Sequence, residues 1–294
     1  MTSHRLARGA QVALLHPGEM GSRVGAALVA GGAEVTWASE GRSDESRTRG
    51  SQAGLVDRKT LAQTLAGADV VVAVCPPHAT RDVASAVADL DFDGVYVDAN
   101  AVAPATARAL AAHLQAGGAS FVDGGIVGPP PLQPGTTRLF LSGEQAAAVA
   151  TLFAAGPLEP VVVPGGPGAA SAVKAAYAAW TKASAALLLA ARALARAEGV
   201  ESELVAEWGR SQPELPARSE LAAVTNGPKA WRFVGEMEEQ ASAFAAAGLP
   251  DGFSLAAAEV YRRLARFKRP GPAPSLADLL DVLVGAANRV PGRP

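Results

Sequence analysis

Two side chains on one helix carry the strongest chemical signal in the sequence. In GGPGAASAVKAAYAAW, from Gly165 to Trp180, a glycine- and proline-rich start gives way to an alanine-rich helix that runs to about Glu198. Lys174 and Tyr177 stand three residues apart there and so share a helix face. The chain has 26 basic residues, of which only five are lysines and 21 are arginines. A lysine near the start of an apolar helix is either an accident of composition or a residue used because, unlike arginine, it can lose its proton. A deprotonated lysine can take a proton from a hydroxyl, and its burial would bring its pKa toward operating pH. Tyr177 could donate to a substrate oxygen or stand as a core aromatic.

The elements that position such a pair come earlier. Gln11 to Leu15 (QVALL) is a short apolar run suited to a buried parallel strand. The turn HPGEMG (16–21) follows, then a helical pattern from Ser22 to Ala30 and a second strand from Glu34 to Ala38. A strand, a glycine-bearing turn, a helix and a strand make the first unit of a dinucleotide-binding fold, in which N–H groups at the helix start hold a pyrophosphate. Gly18 and Gly21 fill the second and third places of the G-x-G-x-x-G spacing, and His16 stands in the first. An ordinary strand-to-helix turn has the same appearance.

After the second strand comes a charged stretch, EGRSDESRTR (40–49), read as a loop where an adenosine ribose would be recognised. Glu40 could accept from a ribose 2′-hydroxyl, which suits NAD; Arg42 with Ser43 could hold a 2′-phosphate, which suits NADP. Two kinds of phosphate donor tilt the reading to NADP, and a solvated loop is the plain alternative. Further strands are expected at Asp69–Cys75, closed by Pro76-Pro77, and at 95–98, 120–123, 138–141 and 160–163, with helices between them. A Gly/Pro loop is expected from 124 to 137. Beyond Gly168 the pattern is helix after helix, at about 168–198, 201–210, 214–225, 229–247, 252–267 and 275–288, and the tail RVPGRP is expected to fray. The first of these helices is apolar almost all round, which asks for packing on two sides.

Composition bounds the rest. The 294 residues suit two domains, and 49% hydrophobic residues suffice for real cores. A net charge of −2 gives no footprint for nucleic acid or an anionic membrane. The single cysteine, Cys75, rules out an internal disulfide, and the four histidines have no metal-ligand spacing. No stretch reads as a signal peptide or a membrane span. The expectation is a soluble, cytoplasmic protein with a small-molecule substrate and no metal.

Taken in order, these motifs resemble the β-hydroxyacid dehydrogenase superfamily, which includes 3-hydroxyisobutyrate and 6-phosphogluconate dehydrogenases. The chain looks closest to the 6-phosphogluconate-dehydrogenase-like branch whose helical domain has no settled substrate. The resemblance implies an α/β fold: a Rossmann domain with a mostly parallel sheet over residues 1–166, then an all-helical substrate and dimerisation domain over 167–294. The long helix, apolar almost all round, is read as the seam of a homodimer, and the Rossmann unit with the resemblance implies an NADP or NAD cofactor at Gly18, Glu19, Met20, Gly21, Glu40, Arg42, Ser43, Cys75, Pro76, Pro77 and Asn100. Lys174 falls on the family's catalytic lysine, with Tyr177 and Asn100 as its companions; Asn100 would orient cofactor and substrate, or else be a turn residue before Pro104. DGGIVGP (123–129) matches the substrate loop, implicating Gly124, Gly125, Val127 and Gly128. Thr181 would line the same wall, and Lys229 or Arg232 would meet an anionic group or simply be solvated.

The chain departs from the family pattern at four places. Its loop serine is Val127, its glycine pair is Gly128-Pro129, its usual Asn or His is Tyr177, and its usual Lys-Asp pair is Gly235-Glu236. The implied activity is hydride transfer between nicotinamide and a hydroxy acid or sugar acid, with Lys174 as general acid/base. Two other readings remain: an imine or ketone reductase, whose relatives typically lack the lysine, and a catalytically silent nucleotide-binding scaffold.

Overall fold

The computed structural model describes Leu6, residues 9–268 and residues 273–287. His4 and the tail RVPGRP lie outside them. The chain divides into two compact units, Met1–Ala175 and Ala176–Pro294. The division falls inside a helix that the 166/167 boundary assigns whole to the second domain.

The first unit runs β1 (Gln11–Leu15), α1 (Glu19–Ala30), β2 (Glu34–Trp37), α2 (Asp44–Gln52), β3 (Val56–Asp57), α3 (Leu61–Leu65), β4 (Val70–Ala73), α4 (Thr80–Ala88) and β5 (Val95–Asp98). It continues with α5 (Pro104–Ala116), β6 (Ser120–Val127), β7 (Thr137–Ser142), α6 (Ala146–Thr151), β8 (Leu158–Val162) and α7 (Ala169–Ala178). The strands form one sheet in the order β3-β2-β1-β4-β5-β6-β7-β8. All neighbours are parallel except β6 and β7, which pair antiparallel.

The continuous apolar runs in β1, β4 and β5 are explained by burial on both faces. Val12, Leu14, Val70, Val72 and Val97 face one layer with Val24, Leu28 and Phe153. Their neighbours Ala13, Leu15, Val71, Ala73 and Tyr96 face the other, with Leu110, Leu114 and Phe121. Each fully buried Val or Leu contributes about 1.5–3 kcal/mol, so the alternation holds helices on both sides. The chain winds outward from β1 through β2 to β3, then crosses back to place β4 on the other side of β1. The carboxyl ends of β1 and β4 therefore flank a topological switch point, the place where open α/β sheets bind ligands.

The helix of α7 continues through a π-helical turn, Ala179–Ala183, into α8 (Ser184–Ala197). The second unit then adds α9 (Glu201–Ser211), α10 (Leu215–Asn226), α11 (Ala230–Ala246), α12 (Gly252–Leu264) and α13 (Leu276–Ala287). Its core gathers Leu189, Met237, Tyr261, Leu264, Leu279 and Leu280. Tyr261 donates its hydroxyl to the Lys182 carbonyl at 2.8 Å, serving a backbone acceptor in the π turn. Among the described residues no helix is long and apolar enough to cross a membrane.

Three local expectations change. Helix α1 begins at Glu19 rather than Ser22, because Gly18 takes extended backbone (φ −69°, ψ −165°) and serves as its N-cap. Residues 44–52 are helix rather than loop. Residues 124–127 belong to β6, where pairing with β7 extends the strand past the expected turn.

Candidate active site

The turn after β1 is built for close approach. His16 takes the left-handed backbone conformation itself, at φ 71°, in the place of the first fingerprint glycine. Its carbonyl accepts the Gly18 N–H at 2.8 Å. A Cβ on Gly21 would lie 2.3 Å from that carbonyl oxygen, so glycine is what lets the first turn of α1 sit on the strand end. A Cβ on Gly18 would meet nothing within 4 Å. No side chain caps α1 at Gly18. An uncapped helix start opening onto free space fits a pyrophosphate. Glu19 occupies the first helical position and Met20 packs on the core.

The loop after β2 supplies the second wall. Arg42 donates its N–H to the Ser39 carbonyl at 3.1 Å, closing a turn through Glu40 and Gly41. Ser43 is the N-cap of α2, accepting from the Ser46 N–H at 3.4 Å, so its hydroxyl already has a structural use. Arg49, which no motif marks, reaches from α2 to the Pro17 carbonyl at 3.3 Å and to Ser46 Oγ at 3.1 Å. The His16 side chain, marked in the sequence only as a missing glycine, also lies here. Burial, and secondarily the Arg42 guanidinium, push the His16 imidazole down to about 4. Near neutral pH it is uncharged, and Arg42 bears the charge between them.

The loop after β4 is tied from below. The Cys75 N–H donates to Asn100 Oδ1 at 2.5 Å, and the Asn100 amide donates to Asp98 Oδ1. Asn100 is buried and joins the ends of β4 and β5, ahead of Pro76-Pro77. Burial pushes the Cys75 thiol up to about 11, so it remains protonated near neutral pH.

Lys174 lies half-buried on α7 and donates from Nζ to the Ile126 carbonyl at 2.5 Å. Gly124, Gly125 and Val127 are buried residues of β6, paired in register with Leu141, Phe140 and Arg138. A Cβ on Gly125 would stand 2.8 Å from the Ala170 carbonyl oxygen and 3.0 Å from Lys174 Cβ, so this glycine lets α7 press onto the strand. Gly128 turns the chain out of β6 at φ 123°. The first unit thus brings together Lys174, Gly125 and Ile126, and separately Cys75 with Asn100.

The other expected residues lie in the second unit. Tyr177 is exposed, and its carbonyl accepts from Thr181 Oγ1 at 3.0 Å. Lys229 ends a short turn before α11, and the Arg232 guanidinium stands 5.9 Å from the Trp231 ring. Lys182, which no motif singled out, forms an ion pair with Glu236 and lies 4.3 Å over the Phe233 ring. The pair is largely shielded, with 17% and 15% of the two side chains exposed.

The sheet order, the glycine turn at the switch point and the strand-end residues define a dinucleotide-binding protein of the Rossmann class. Residues 11–153 match the family described as the NAD binding domain of 6-phosphogluconate dehydrogenase, and residues 195–264 match a domain of unknown function, DUF1932. The chain therefore joins a nicotinamide-cofactor-binding domain of the 6-phosphogluconate dehydrogenase kind to that C-terminal domain, on the fold of 3-hydroxyisobutyrate dehydrogenase-like proteins.

Among solved structures, a conserved hypothetical protein from Sinorhizobium meliloti is 24% identical, with a TM-score of 0.66 over 97% of this chain and 99% of its own. The 3-hydroxyisobutyrate dehydrogenase of Mycobacterium tuberculosis is 17% identical, with a TM-score of 0.66 over 96% and 100%. An imine reductase from Bacillus cereus is 20% identical, with a TM-score of 0.55 over 92% and 98%. A comparison with curated proteins finds no match.

Proposed function

We propose that the protein is an NAD(P)-dependent oxidoreductase that moves a hydride between nicotinamide and the carbinol carbon of a hydroxy acid or sugar acid. The observation that carries the reading is the lysine held by its amine on the Ile126 carbonyl, at the end of the sheet that carries the cofactor turn. The nicotinamide, when bound, supplies the hydride acceptor or donor. In oxidation, neutral Lys174 takes the hydroxyl proton as the C–H hydride leaves, and the C–O bond becomes a carbonyl. In reduction, protonated Lys174 returns that proton to the oxygen.

Asn100 acts by fixing the Cys75 loop, which supports a role in orienting cofactor and substrate. The N–H groups of the first turn of α1 and Gly18 would take the pyrophosphate. Arg42 would take a 2′-phosphate, which favours NADP over NAD; it keeps its charge, and neutral His16 does not compete with it. Tyr177 and Thr181 on the lysine's helix, with Lys229 and Arg232, are the candidates for substrate contact in the C-terminal domain. A homodimer through that domain is supported by Trp180, Leu187 and Leu194, exposed at seven-residue spacing along the long helix.

The test is a screen of hydroxy acids, sugar acids and cyclic imines with each cofactor, read by nicotinamide absorbance. Turnover of a hydroxy or sugar acid supports the proposal. Turnover of imines alone would replace it with the imine reductase reading. Tight cofactor binding with no turnover of any class would favour the silent scaffold.

A further inference from the structure

We infer that Asp123 is the positioning residue for Lys174: a sheet-borne carboxylate that caps the lysine's helix and, with Gly125, sets where the amine stands. The inference rests on the reading of Lys174 as the proton-handling group.

Helix α7 cannot cap itself. Its N-cap position is Gly168, at φ 101°, where a Cβ would meet Arg108 Nη1 at 2.7 Å and the Pro104 carbonyl oxygen at 3.0 Å. With no side chain there, the N–H groups of the first turn need partners from elsewhere. Asp123 Oδ2 accepts from the N–H groups of Gly168 and Ser171, both at 2.9 Å. Asp123 Oδ1 accepts from Ser171 Oγ at 2.5 Å. Ser142 Oγ on β7 accepts the Ala170 N–H at 3.1 Å, lies 3.1 Å from Asp123 Oδ2, and has the Gly166 carbonyl at the same distance. The Ala169 N–H goes to the Gly166 carbonyl at 3.2 Å. The helix start is thus fully served, with an acidic side chain at its positive pole.

Asp123 is 0% exposed, as are Ser142 and Ser171. A buried acidic side chain needs hydrogen-bond partners for both oxygens; Asp123 Oδ2 takes the two backbone N–H groups and Oδ1 the Ser171 hydroxyl. A local Ser or Asp before the helix would cap it equally well. What a cap from β6 adds is a fixed relation between strand and helix. Along the strand, Asp123 holds the start of α7, Gly125 lets the helix close onto the strand beneath Lys174 Cβ, and the Ile126 carbonyl receives Lys174 Nζ. Three nearly consecutive residues therefore set the helix's phase, its depth and the direction of its lysine.

The experiment is competitive labelling of the full chain with acetic anhydride, read lysine by lysine by peptide mass spectrometry. The chain's five lysines make this tractable. Exposed Lys59 and Lys268 serve as internal standards. In Asp123→Asn the acetylation rate of Lys174 relative to these standards should rise by about tenfold, the size of losing a helix cap. NADPH affinity, read by fluorescence titration, should stay within about twofold, because the glycine turn belongs to other strands. Ser171→Ala should move Lys174 in the same direction, and Ser171→Thr, which keeps the hydroxyl, should restore the wild-type rate. If Asp123→Asn does not fold, the Ser171 pair carries the test alone. Unchanged Lys174 reactivity would overturn the inference, as would a parallel loss of NADPH affinity, which would mark Asp123 as a support of the whole domain. Labelling needs no substrate, so a catalytically dispensable Lys174 would show separately, as undiminished turnover in Lys174→Met.

Discussion

Two glycines three residues apart make opposite predictions when each is replaced by alanine. At Gly18 an added Cβ meets nothing within 4 Å, and the backbone lies at φ −69°, which alanine adopts freely. Gly18→Ala should leave the melting temperature of the free protein unchanged or slightly raised, since glycine's extra freedom in the unfolded chain is worth about 0.4–1 kcal/mol. The proposed pyrophosphate site is the open space at Gly18, so the methyl should be felt only on binding. Overpacking by one methyl costs about 1–3 kcal/mol, or roughly 5–150-fold in cofactor Kd. At Gly21 the added Cβ would stand 2.3 Å from the His16 carbonyl oxygen in the free protein. Relief needs a shift approaching ~1 Å in the strand end or the helix, so a similar ~1–3 kcal/mol falls on folding itself. Gly21→Ala should melt lower by about 2–4 °C for each kcal/mol lost. Differential scanning fluorimetry reads the first quantity and NADPH fluorescence titration the second. A Gly18→Ala protein that binds NADPH as tightly as wild type would refute the placement of the pyrophosphate.

Arg42→Ala should weaken NADPH by about 10–100-fold, the scale of a lost charge-assisted phosphate contact, while NADH changes little; equal losses for both cofactors would remove Arg42 from 2′-phosphate recognition. His16→Gly should relieve left-handed strain of about 1 kcal/mol, read by urea unfolding at neutral pH. The same variant should change the acid limb. The imidazole titrates near 4 in the folded chain against 6.5 ordinarily, so the unfolded chain takes up the proton first and stability falls as pH drops from 6.5 toward 4. Without His16 that fall is shallower, and an unchanged pH profile would contradict the burial of a neutral imidazole.

Most of the fold was legible because buried parallel strands are written as apolar runs. QVALL marks β1 residue for residue, and the helices after Gly168 fall within a few residues of their expected spans. The misreadings have two causes, pairing with distant chain at residues 124–127 and a local helix cap at Ser43. GGIV looks like loop because glycine disfavours strands, yet the antiparallel partner β7 holds it extended, Gly125 makes room for α7 and Gly124 for the end of β5. EGRSDESRTR looks like a charged loop, but Ser43 caps a helix within it. The candidate site was legible in part. Lys174 stood out by residue type, whereas Asp123 did not, since no local spacing reveals a carboxylate that caps a helix 45 residues downstream. His16 was visible only as a missing glycine, and Lys182 only once the π turn set it against Glu236.

The central claim is that Lys174 handles the substrate proton. With a hydroxy or sugar acid found in the screen, wild type and Lys174→Met are compared for kcat and for NADPH Kd. The substitution should cost about 10²–10⁴-fold in kcat, the scale of general acid–base catalysis, with NADPH affinity unchanged. A Lys174→Met enzyme that turns over at the wild-type rate would contradict it.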